Sequence, residues 1–167
     1  MKKSTLLTPF LALVTALTAI GADEATLLIQ AESTADDIGA TVMADGDALE
    51  GSYAMNDRDY NPVFKMDTPT GAESYTIWIR ARGTGLQLKA APEAGQSQKE
   101  LKWIWKPGKT WTWKSYGTFP AADLGAQIVI IRGKEPADDA GLDAVIITSD
   151  PGFDPTVDGA VEGLSDQ

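Results

Sequence analysis

Ser74-Tyr75-Thr76-Ile77-Trp78-Ile79-Arg80-Ala81-Arg82 has the alternation of a half-buried β-strand. Tyr75, Ile77 and Ile79 fall on one face and Thr76, Trp78 and Arg80 on the other, the period of two that a pleated chain imposes. Further along, Ile128-Val129-Ile130-Ile131 and Val145-Ile146-Ile147 are unbroken apolar runs, the pattern of central strands covered on both faces. Working outward, short runs rich in β-branched and aromatic residues are separated by Gly, Pro, Asp and Asn. Strands are expected near Thr26–Glu32, Thr41–Ala44, Val63–Asp67, Ser74–Arg82, Leu86–Ala90, Glu100–Lys106, Trp111–Tyr116, Gln127–Arg132 and Leu142–Thr148. Gly83-Thr84-Gly85 and Pro107-Gly108 supply tight turns between neighbours. About nine short strands and little helix specify an all-β fold, an antiparallel β-sandwich of jelly-roll type.

The N-terminus has the layout of a targeting signal. Lys2 and Lys3 precede the apolar stretch Leu6–Ile20, and the small residues Ala19, Gly21 and Ala22 follow. A cleaved signal peptide is therefore expected over residues 1–22, which makes the protein secreted or periplasmic. The apolar stretch is too short for a membrane span and contains Pro9, so no membrane insertion is expected. The sandwich domain is expected over 23–153, with an acidic, Gly-rich, flexible tail over 154–167.

Composition narrows the chemistry. The chain contains no Cys and no His, which removes disulfides, thiolate and imidazole catalysis, Ser-His-Asp triads and ordinary zinc sites. Only hard oxygen ligands remain for a metal, and these favour calcium. The net charge is −10, and loss of Lys2 and Lys3 with the leader makes it −12. Such a surface repels nucleic acid and anionic lipid and favours neutral partners and divalent cations; it also simply keeps a protein soluble. Asp57 and Asp59 could in principle act as paired catalytic acids. They lie two residues apart in a polar segment with nothing to desolvate either, so no enzyme activity is expected.

Four motifs in order carry a resemblance. They are Ile29-Gln30-Ala31-Glu32, Tyr75-Thr76-Ile77-Trp78-Ile79-Arg80, Trp111-Thr112-Trp113 and Gly141-Leu142-Asp143-Ala144-Val145-Ile146-Ile147-Thr148. The set resembles the galactose-binding-like jelly rolls of family 6 and family 35 carbohydrate-binding modules. The ending Thr148-Ser149-Asp150-Pro151-Gly152-Phe153-Asp154-Pro155 looks like versions appended to bacterial polysaccharide-degrading proteins. The resemblance implies a structural calcium held by Gln30, Glu32 and Asp143, with Gln30 standing where the family often has Glu. It places sugar-stacking rings at Tyr53 or Tyr60 and at Trp111. Gly141 stands where the family commonly has a sugar-bonding Asn, with Asp138 or Asp139 as the candidate substitutes.

Sugars stack their C–H faces on aromatic rings and need fixed polar partners for their hydroxyls. Gly51–Pro62 combines Tyr53 and Tyr60 with amides and charges and shows no sustained period, the make-up of a recognition loop. Tyr53 could equally plug the edge of the sandwich. Trp103 and Trp105, two residues apart on one strand face, form either a glycan platform or part of the core. The expected partner is a polysaccharide or glycan bound through Tyr53, Tyr60, Trp111 and Trp105. The alternative is a structural or adhesive domain with a protein partner in a larger extracellular assembly.

Overall fold

The computed structural model describes residues 25–83, 86–91, 99–102, 108–133, 140–162 and 164. The expected signal peptide, Trp103, Trp105, Asp138 and Asp139 lie outside the described residues. Among the described residues, ten strands form two antiparallel sheets. They are β1 (Thr26–Gln30), β2 (Thr41–Ala44), β3 (Ser52–Met55), β4 (Pro62–Asp67), β5 (Ser74–Arg82), β6 (Leu86–Ala91), β7 (Lys99–Lys102), β8 (Thr112–Pro120), β9 (Gln127–Arg132) and β10 (Gly141–Thr148). The larger sheet runs β2-β3-β10-β5-β8, with β1 also on β10; the smaller runs β4-β9-β6-β7. The fold is thus the all-β sandwich that the alternation implies.

Ile77, Ile79, Leu142, Val145 and Ile147 of the larger sheet meet Phe64, Leu86, Leu88, Ile128 and Ile130 of the smaller to form the core. β10 is buried along its whole length, and β9 is buried from Ile128 onward, as their unbroken apolar runs require. The two short helices α1 (Ala35–Ile38) and α2 (Ala121–Leu124) close corners of the sandwich, each contributing one fully buried residue, Ala35 and Leu124. Tyr116 is the extra residue where β8 slips register against β5, between Ile77 and Trp78. Its ring joins the core, and its hydroxyl donates to the Leu86 carbonyl at 3.0 Å. Burial pushes that phenol well above the ordinary tyrosine range.

β1 stops at Gln30, short of the expected Glu32, β8 runs past the expected Tyr116 to Pro120, and one strand is additional to those expected. Ser52–Met55, part of the segment that reads as a loop, is β3, pairing with β2 and with β10. Tyr53 and Ala54 are both buried, on opposite faces, so the alternation that marks other strands is missing here.

The outer face of the larger sheet is ordered in rows by the strand register. Thr26, Thr148, Thr76 and Thr118 form one row across β1, β10, β5 and β8. Their hydroxyls bond in pairs at 2.7 Å, Thr26 with Thr148 and Thr76 with Thr118. The next row is Leu28, Ile146, Trp78 and Ser115, and the one beyond is Gln30, Ala144, Arg80 and Trp113. The chain after β10, read above as an acidic tail, returns across this face. Phe153, Val161 and Leu164 pack with Trp78 and Trp113 around buried Leu28, Ala144 and Ile146.

Candidate functional site

One end of the sandwich gathers the end of β5, the start of β10 and the segment leading into β8. Arg82 ends β5 opposite Gly141, and its guanidinium carbon stands 5.0 Å from the Tyr53 ring centroid and 4.5 Å from that of Trp111. The two rings meet edge to face, 5.2 Å apart at 63°, a favoured aromatic geometry. Asp45, just after β2, pairs with Arg82. The Asp47 amide donates to the Asp45 carboxylate at 2.8 Å. That amide, then Arg82, hold the Asp45 carboxyl below its ordinary value despite some desolvation.

Arg80, two residues back on the same face, donates to Asp143 and, at 3.1 Å, to the Asp47 carbonyl. Its guanidinium carbon lies 5.7 Å from the Trp111 ring. These groups, with Lys109 and Thr110, wall a cleft of about 270 Å³. Its lining offers cationic donors, an acceptor in Asp47 and one aromatic wall in Trp111.

The expected ring residues separate. Trp111 is half-buried and faces the cleft. Tyr53 is only 5% exposed and lies beneath Arg82, so it braces the site from below rather than offering a stacking face. Gly141 explains why: a methyl placed there would overlap ring carbons Cδ2 and Cε2 of Tyr53. The space that a side chain at 141 would fill is occupied by the tyrosine. Tyr60 is 52% exposed and adopts the left-handed conformation, φ 62°, which is costly for a non-Gly residue.

The loop carrying Tyr60 is held from within. Asn56 donates to the Pro62 carbonyl at 3.1 Å and accepts from the Arg58 amide at 3.2 Å. Buried Arg132 donates to the Asn56 carbonyl, and its own carbonyl accepts from the Tyr60 amide at 3.0 Å.

Gln30 and Asp143 are buried on β1 and β10, and Glu32 sits half-buried in the 3₁₀ turn Ala31–Thr34 after β1. A slip in register between Leu142 and Ala144 turns Asp143 to the outer face. There it meets Arg80 and accepts from the Leu49 amide at 3.2 and 3.3 Å. Burial outweighs these partners and raises the Asp143 carboxyl above its ordinary value; Glu32 adds to the rise. Ser52 donates to Glu32 Oε1 at 2.7 Å, whereas the buried atoms Glu32 Oε2 and Gln30 Oε1 have no hydrogen-bond donor. Two carboxylates with orphaned oxygen beside them and one guanidinium nearby suit a hard cation. Among the described residues, however, no three carboxylates, imidazoles or thiolates are gathered as a ready-made metal shell.

Sequence reading missed Arg82, Asp45, Asp47 and Lys109. The signal available was Arg80-Ala81-Arg82, which puts two arginines side by side on one strand face. Such a pair needs acids or rings between the charges to be stable there. No family model matches the chain, and no curated protein matches it either.

Proposed function

We propose that the chain is an exported, non-catalytic carbohydrate-binding module of galactose-binding-like jelly-roll type, stabilised by calcium, that takes one sugar unit of a neutral polysaccharide in the Trp111 cleft. The observation that carries this reading is the pairing of an aromatic wall with rigidly held polar groups. Trp111 supplies the surface for a sugar's C–H face. Arg80 and Arg82, fixed by Asp143, Asp45 and the rings, supply donors, and Asp47 supplies an acceptor. At about 270 Å³ the cleft lies near the lower end of small-molecule sites, a size for one ring rather than a long chain segment.

Of the three cations lining the cleft, Arg80 and Arg82 are paired with Asp143 and Asp45 behind it, which leaves Lys109 against Asp47, a balance that suits a neutral ligand. The shifted acids give no ready general acid there: Asp45 is held ionised, and Asp143 is enclosed beneath Arg80 and Leu49. Gln30, Glu32 and Asp143 would hold the calcium, whose charge would balance two carboxylates facing one guanidinium and tie β1 to β10. Tyr60, rigid at the same end of the sandwich, is an additional contact for a longer glycan.

An affinity-gel or glycan-array screen with and without chelator tests this. Retention that Trp111→Ala abolishes is expected, together with a melting temperature lowered by chelator. No retained polysaccharide in either condition refutes the binding function. A Glu32→Ala, Asp143→Ala pair whose melting ignores both calcium and chelator removes the metal.

A structural or adhesive role has one observation in its favour. Edge strand β2 is uncharged and exposes Val42 at 48% and Met43 at 38%, the kind of edge another chain can pair with. Concentration-dependent association abolished by Val42→Lys would favour it.

A further inference from the structure

β2, Thr41-Val42-Met43-Ala44, ends the larger sheet and pairs with β3 alone. The Asp45 amide donates to the Gly51 carbonyl at 2.9 Å. The alternation of an antiparallel ladder then aims the N–H and C=O of Val42 and Ala44 at the open edge. All four residues are exposed. Val42 lies opposite Ala54 and Met43 opposite Tyr53, so one exposed apolar side chain stands on each face of the strand.

Terminal strands invite pairing with other chains and normally carry Lys, Pro or a bulge that prevents it. The other terminal strands of both sheets follow that rule or are covered. β4 opens at Pro62, carries Lys65 and slips register before Phe64. β7 reads Lys99-Glu100-Leu101-Lys102. β8 carries Lys114, slips register at Tyr116 and ends at Pro120. β1, joined only to β10, is half-buried or buried throughout. β2 has no charge, no proline and an unbroken register. Among the described residues it is the terminal strand left open to a further one.

The surrounding charge decides which strand can use it. Residues 31–57, which contain β2 and both its flanks, include seven Asp and Glu and no Lys or Arg. Asp36 and Asp37 stand exposed before β2, and Asp47 and Glu50 stand exposed after it. A second copy laid antiparallel along β2 would set the Asp36–Asp37 flank of each against the Asp47–Glu50 flank of the other. Like charges so placed repel, which guards the edge against the chain itself. A strand with cations at its ends meets attraction at both flanks.

We propose that β2 is a docking edge for an extended segment of a partner protein, which joins the larger sheet as a further strand through backbone hydrogen bonds. The segment carries apolar residues at its centre, which cover Val42 and Met43, and Lys or Arg on both sides, which meet the flanking acids. Backbone pairing supplies the attachment, and the charges select the partner. The proposal does not depend on the glycan reading.

The test uses the full chain and a fluorescein-labelled, end-blocked heptapeptide whose centre is Thr-Val-Ile-Val-Thr and whose two ends are Lys. Saturable binding by fluorescence anisotropy is expected, at least about ten-fold tighter than that of the same peptide ended in Glu. N-methylation along the centre keeps the charges and side chains but removes the donors, and it should abolish binding. Val42→Lys should weaken binding about ten-fold or more, while melting and glycan retention stay as in the parent. Val42→Pro deletes a donor at the open edge without touching the β3 ladder and should act the same way; if it lowers the melting temperature, Val42→Lys carries the reading alone. No binding of the Lys-ended peptide, or equal binding of the N-methylated or the Glu-ended one, overturns the proposal. So does self-association in sedimentation that Val42→Lys abolishes, which would make a second copy the occupant.

Discussion

Gly141→Ala should be far more costly than an exposed glycine replacement, and the cost should vanish when Tyr53 is absent. The added methyl would fall within the Cδ2–Cε2 edge of the Tyr53 ring and close to the Ala54 carbonyl, 3.3 Å away. The ring cannot yield freely, because its centroid stands 5.2 Å from that of Trp111 and 5.0 Å from the Arg82 guanidinium carbon. Overpacking of this kind costs about 1–3 kcal/mol. Expelling the ring instead forfeits about 0.5–1.5 kcal/mol of aromatic pairing and roughly 0.5–1 kcal/mol of cation–π attraction, besides its burial. The cheaper route sets the cost, so the expected destabilisation is about 1–3 kcal/mol, which at roughly 2–4 °C per kcal/mol for a domain of this size lowers Tm by about 2–12 °C. Urea unfolding of Gly141→Ala, Tyr53→Ala and the double variant measures the coupling. In the Tyr53→Ala background the methyl enters vacated space, and its cost should fall below about 0.5 kcal/mol. A neutral Gly141→Ala, or an equal cost in both backgrounds, refutes the packing account and with it the explanation of why position 141 is bare.

Arg80→Met removes the charge facing buried Asp143 while leaving the carboxylate in place; breaking such a pair from one side should cost about 3–5 kcal/mol in urea unfolding at neutral pH. The raised Asp143 carboxyl gives a sign that pH titration can check. Because the unfolded chain releases this proton first, near the ordinary 3.8, the metal-free protein loses stability from this group as pH climbs above that value. Asp143→Asn should abolish that loss, so its advantage over the parent grows with pH under chelator. Saturating calcium should reverse the trend in the parent, since only the carboxylate binds the ion. Tyr60→Gly relieves the left-handed strain at φ 62°; it should leave stability unchanged or raise it by up to about 1 kcal/mol, while weakening retention of long glycans. A clear destabilisation would show that the exposed ring is a structural prop.

The strands that were legible in the sequence are those whose burial leaves a periodic mark. β5 alternates because one of its faces meets the core, and β9 and β10 read as unbroken apolar runs because both of theirs are covered. β3 was illegible for the opposite reason: four residues with Tyr53 and Ala54 buried on opposite faces leave no period to detect. The site divides along similar lines. Trp111 and Tyr60 could be singled out as ring-bearing residues near loop ends, but the partners of Trp111 come from β5 and from the turn after β2, which only the folded register brings together. The C-terminal segment misleads by averaging. Its acidic, Gly-rich composition describes a flexible chain, whereas its placement rests on Phe153, Val161 and Leu164, which composition does not weigh separately.

The position of β10 sets the order in which this protein can be assembled. The last of the described strands, β10, is the one that β1, β3 and β5 all need as a neighbour, and the contact between Thr26 and Thr148 spans 122 residues. Contacts so distant along the chain make for slow closure. Until Thr148 has emerged, the N-terminal strand has no edge to join, and the larger sheet is split into pieces without a shared centre. The larger sheet therefore closes only once β10 is available, in a single step whose failure would leave β1 and β5 exposed to other chains.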